Sequence, residues 1–106
     1  MNEQLDMACF QIISMAGTAR SNYILAIDAA EDGDFDKAQA LIEEGDKAFS
    51  VCLSAHSKVI HMEETGALRE PNLLLLHSED QMMSAEAFKT MGEKFISLYK
   101  RVPKEG

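Results

Sequence analysis

Three histidines and one oddly placed acid are the residues of this chain best suited to chemistry. His77 is followed by Ser78-Glu79-Asp80-Gln81, which puts a carboxylate at i+3 and an amide at i+4. On a helix both would share the face of the imidazole. A helix starting nearby would add unpaired N–H groups and the positive end of a dipole, which suit a phosphate. A neighbouring carboxylate can also fix the imidazole tautomer and leave the other ring nitrogen free to attack phosphorus. His77 is thus the candidate nucleophile, set against the plainer reading of a loop histidine.

Asp80 falls on an apolar stripe. Steps of four and three run back from Leu98 through Phe95, Met91, Ala87 and Met83 to Asp80, and then to Leu76. If the helix begins late, Asp80 is a first-turn acid favoured by the dipole. If it begins early, Asp80 is a carboxylate among apolar neighbours, which is costly without a cation, a donor or a proton. In a symmetric oligomer, copies of Asp80 could converge on the axis, where a hard divalent cation with oxygen ligands would offset their repulsion. His56 lies on the seam of another helix and reads as a hydrogen-bonded core residue. His61 lies near that helix's end, where a cation is favoured by the dipole. Met82 and Met83 beside His77 could serve an adaptable docking surface.

The elements that must position these groups are helices. From Leu5 the sequence alternates fours and threes through Cys9, Ile12, Ala16, Ala19, Tyr23, Ala26 and Ala30. That is a heptad seam, rich in alanine, along which neighbouring backbones can approach. The helix should stop around Glu31–Gly33, with Gly33 as its left-handed C-cap. Asp34 then suits an N-cap, and a second seam follows through Phe35, Ala38, Ile42, Gly45, Phe49, Cys52, His56 and Val59, with Gly66 as its end. The short connection implies an antiparallel pair. Arg69–Asn72 form a further connection, and a third helix is capped either by Asn72 or by Ser78, since Ser78-Glu79-Asp80-Gln81 fits a capping box. A loose polar tail is expected from Arg101 to Gly106.

The 106 residues make one domain, with 18 acids against 10 bases and a formal charge of −8. That balance disfavours nucleic acid and anionic lipid. No apolar run approaches the ~20 residues of a membrane span, and MNEQLDMACF lacks the basic start of a signal peptide. The expectation is a cytoplasmic protein with Cys9 and Cys52 as reduced core residues. GxxxxGK[ST], GxGxxG, HExxH and GxSxG are all absent, which removes the nucleotide, dinucleotide, zinc-protease and hydrolase readings that depend on them. Three helices leave an apolar face poorly covered, so a homo-oligomer is expected.

Three stretches, in order and spread over almost the whole chain, resemble one family. Gly17-Thr18-Ala19-Arg20-Ser21 is similar to G-x-A-R-S, and Gly33-Asp34-Phe35-Asp36-Lys37-Ala38 to G-D-F-x-x-A. Leu74-Leu75-Leu76-His77-Ser78-Glu79-Asp80-Gln81-Met82-Met83 resembles L-L-x-V-H-A-Q-D-H-L-M, and Ala55-His56 matches an A-H pair. These are motifs of the IIA components of the lactose/cellobiose/diacetylchitobiose class of sugar phosphotransferase systems.

The resemblance implies an all-α, up-down-up three-helix subunit that assembles as a homotrimeric nine-helix bundle. It implies a phosphotransferase component in which His77 takes a phosphoryl group from the phosphocarrier HPr and passes it to a cysteine of a IIB component. Uptake and phosphorylation of a β-linked disaccharide of the cellobiose, lactose or chitobiose type would follow. It further implies that Asp80 from three subunits shares one Mg2+ at the trimer centre. Two departures stand out: Gln81 replaces the family's second histidine, and Ser57-Lys58-Val59-Ile60 replaces x-x-Q-T. Two other classes stay open. A two-component histidine phosphotransfer domain wants a lysine where Asp80 stands, and a non-catalytic oligomeric adaptor would explain the seams but not the motifs around His77.

Overall fold

The alternation that starts at Leu5 becomes α1 (Glu3–Glu31), and every residue of that seam is buried. The second seam becomes α2 (Phe35–Glu64) and the third lies on α3 (Leu73–Arg101). The computed structural model describes residues 3–68 and 72–102, and its regular structure there is all helix. Arg69–Pro71 of the expected connection and 103–106 of the expected tail lie outside the described residues. Arg101 itself completes α3 and Val102 caps it, so the tail expected from Arg101 does not begin there.

The ends follow from local chemistry. Gly33 takes φ +83°, which a side chain would resist, and lets the N–H of Asp34 turn back to Ala29 O at 2.9 Å. Asp34 Oδ1 then accepts the N–H of Lys37 at 3.1 Å and opens α2. At α3 the choice between two caps falls to Asn72, whose Oδ1 accepts the N–H of Leu75 at 2.8 Å. Ser78 is no cap: it is wholly buried, and its hydroxyl donates to Leu75 O at 2.7 Å.

Cross-helix contacts fix the topology. Cys52 Sγ reaches Ile12 O, while Tyr23 OH donates to Asp46 Oδ1 at 2.8 Å, so α2 descends as α1 rises. Arg20 meets Gln81 and Ser84, and the backbone of Tyr23 faces Gly92, so α3 rises with α1. Each rod is ~44 Å long at 1.5 Å per residue. Both α2 and α3 pack chiefly on α1 and only lightly on each other. Two polar ties help to close the seam between α2 and α3: His56 with Glu79, and Lys89 with Asp46 at 3.1 Å.

The third seam does not pack inside the subunit. The residues that α3 buries are Leu75, Ser78, Ala85, Gly92 and Ile96. Leu76, Met83, Met91, Phe95 and Leu98 face outward instead, with Met83 66% exposed. The cause lies on α1, whose alanine-rich face draws α3 in closely, so that between Leu75 and Ile96 the buried positions of α3 are the small Ser78, Ala85 and Gly92. The bulky stripe is thereby left outside, and Asp80 is exposed in its midst.

Candidate functional site

Capping by Asn72 places His77 in the second turn of α3 rather than at the helix mouth. The helical ladder therefore already takes up its backbone N–H, and the imidazole stands out as an exposed side chain. Asp80 at i+3 and Gln81 at i+4 flank it on one side of the rod. Asp80 continues onto the outward apolar stripe between Leu76 and Met83, whereas Gln81 turns towards α1. His77 thus sits at the edge where the bulky stripe meets the groove between α1 and α3.

Arg20 of α1 reaches into that groove. Its Nη1 donates to Gln81 Oε1 at 2.9 Å and to Ser84 Oγ at 3.3 Å. Among the described residues no carboxylate pairs with it, so its charge is met by neutral acceptors. On the other flank His56 Nε2 lies 2.9 Å from Glu79 Oε2. A carboxylate only accepts, so Nε2 carries the proton. Beneath His77, the buried Ser78 lies against Cys9. Burial pushes the Cys9 thiol above its ordinary value, and the Ser78 hydroxyl pulls the other way. Burial likewise raises the Cys52 thiol to about 11. Both cysteines are buried free thiols, as a reduced core requires.

His77 and Asp80 are therefore neighbours on α3, while His56 is a core-edge residue tied to Glu79. His61 is exposed and lines a separate cleft of about 770 Å³ between α1 and α2, together with Gln4, Gln11, Ser57 and Lys58. Arg20 and Glu79 were given no role by the sequence. For Arg20 two signals existed: it stands in the stretch similar to G-x-A-R-S, and it is the sole basic residue before Lys37. Glu79 carries no comparable mark, since only the crossing of α2 and α3 brings it to His56.

Among the described residues no cluster of three histidine, cysteine or acidic side chains could hold a metal ion. Asp80 offers a single outward carboxylate per chain. Such a donor fits a hard cation only if copies of the chain supply the remaining oxygens. No helix among the described residues is long and apolar enough to cross a membrane.

Comparison with known proteins bears on this arrangement. Residues 7–100 match the family described as "PTS system, Lactose/Cellobiose specific IIA subunit". The chain is 31% identical over 105 residues to the lichenan-specific phosphotransferase enzyme IIA component of Bacillus subtilis (strain 168), covering 99% of this chain and 96% of that protein. It is 32% identical over 99 residues to a lactose-specific EIIA component of Staphylococcus aureus (strain N315), covering 93% and 96%. The crystal structure of a cellobiose-specific enzyme IIA from Bacillus anthracis superposes with a TM-score of 0.89 at 29% identity, covering 95% of this chain and 93% of that one.

Proposed function

The chain belongs to the lactose/cellobiose-specific IIA family of the sugar phosphotransferase system, and from that premise we propose that His77 is its phosphoryl carrier. The observation that supports this most is the exposure of His77 on α3, one turn from Asp80 and Gln81. An unprotonated ring nitrogen of His77 attacks the phosphorus held by phospho-HPr. The new N–P bond forms as the bond to the donor breaks, and HPr leaves without its phosphoryl group. In the second step a cysteine thiolate of a IIB component attacks phosphorus, and His77 regains its lone pair. The transfer takes place in the cytoplasm and serves uptake of a β-linked disaccharide, a sugar class that the lactose- and cellobiose-specific names of relatives support.

The outward stripe of α3 is the natural contact between copies. Three subunits brought together along it make a homotrimeric nine-helix bundle with three copies of Asp80 near the axis. One Mg2+ held there would neutralise those carboxylates, a structural service separate from the transfer. Phosphohistidine is a phosphoramidate, so the label should survive alkali and be lost in mild acid. With HPr, the general kinase of the system and phosphoenolpyruvate, each chain should gain one phosphoryl group. His77→Ala should gain none while still folding, whereas His56→Ala and His61→Ala should still be labelled. Label persisting in His77→Ala, or found only on Ser78, overturns the proposal.

A further inference from the structure

We infer that Arg20 is a positioning residue for phosphoryl transfer: it fixes the side-chain amide of Gln81 so that its NH2 group is presented to the phosphoryl group on His77. The inference rests on His77 as the carrier. A guanidinium has donors and no acceptor, so the Gln81 atom facing Arg20 at 2.9 Å has to be the carbonyl Oε1. The orientation of the amide is thus set by chemistry. Its Nε2, with two hydrogens, is turned away from Arg20.

Helical side chains lean towards the N-terminus, so a long residue at i+4 covers the turn that holds residue i. Gln81 therefore lies over the turn of His77, with its donor group as the free end. Ser84, one turn further along, accepts from the same Nη1 at 3.3 Å and holds the guanidinium in place from the far side. A phosphoryl group on His77 carries negative charge and strong acceptor oxygens. The neutral amide offers it a hydrogen bond that does not titrate.

Rapid-quench, single-turnover transfer from phospho-HPr tests this in the full-length protein. Gln81→Leu should lower the maximal rate at saturating donor by about tenfold or more, the usual loss for a hydrogen bond to a charged group. Arg20→Met should fall comparably, and Arg20→Lys should recover part of the rate. Because Arg20 works through Gln81, the double variant Arg20→Met/Gln81→Leu should be no slower than the slower single variant. Multiplying effects, or an Arg20→Met rate equal to wild type, would overturn the inference. Should Arg20→Met fail to fold, Gln81→Glu decides. It keeps the tie to Arg20 but replaces the donor by an acceptor, so it must be slow; a wild-type rate would sink the idea. Wild type labelled at His77 alongside an unaffected Gln81→Glu removes this inference alone. Wild type without any label removes the His77 reading and this inference with it.

Discussion

The ring of Tyr23 fills the space beside Gly45, where a Cβ would come within 2.5 Å of the ring carbon Cε1. Tyr23 is wholly buried and its hydroxyl is engaged by Asp46, so the ring has little room to give. This contact sets how closely α1 and α2 approach at mid-length.

Gly45→Ala should therefore destabilise the fold, although alanine favours helix by about 1 kcal/mol. Overpacking of a filled core costs about 1–3 kcal/mol, and the Tyr23–Asp46 hydrogen bond is strained as well. Urea unfolding would measure a lower midpoint at unchanged slope. A midpoint equal to or above wild type would mean that the ring yields freely.

Asp80 gives a prediction about assembly. Light scattering behind a sizing column should return three times the 11.7 kDa chain mass. Asp80→Leu should melt higher than wild type in metal-free buffer, because in the proposed trimer it removes converging charges from an apolar stripe. Magnesium should raise the melting temperature of wild type and leave the variant unchanged. Strong destabilisation of Asp80→Leu without metal would contradict the shared site.

A third prediction follows from the neutral amide beside His77. Gln81→His should alter the transfer rate while leaving His77 as the labelled residue. An imidazole there titrates near 6.5, so the ratio of variant to wild-type rate should change between about pH 5.5 and 7.5. A ratio constant across that range would show that position 81 does not sense the transferring group.

Alkaline stability provides the fourth. The buried Cys52 thiol is raised to about 11 from 9.0, Cys9 is raised above the same value, and Tyr23 is raised from 10.0. Folding thus favours the neutral form of each. The contribution is complete below about pH 9 and is lost as pH rises towards the folded values. Unfolding midpoints should be flat from pH 7 to 8.5 and fall between pH 9 and 11, less steeply in Cys52→Ala. A midpoint rising in that window would contradict the sign.

Where the sequence spoke clearly, the contacts were between large or repeating apolar residues. The α1 seam from Leu5 to Ala30 is buried as its spacing requires, and Gly33 and Asp34 turn the chain as their chemistry demands. On α3 the same spacing runs along the stripe with the larger side chains, Met83, Met91 and Phe95. The face packed within the subunit carries Ser78, Ala85 and Gly92 instead. Close backbone approach selects small residues, which add little to the apolar periodicity of a sequence. The placement of His77 beside Asp80 and Gln81 was legible because neighbours in sequence are neighbours on the helix. Arg20 and Glu79 were not, since their partners lie 61 and 23 residues away and only helix crossing unites them.

The small contact face of α3 has a consequence for how this chain tolerates drift. His77 is carried on a rod whose inner face holds Ser78 and Ala85 fully buried. Gly92 on the same face would admit a Cβ in ordinary contact, its nearest neighbours standing 3.6 Å away, but bulk added at Ala85 would tilt the rod, and the imidazole, two turns nearer its end, would swing through a larger arc. Loss of transfer can therefore arise in a variant whose reactive side chains are all intact, and a survey of the site residues alone would pass it as functional.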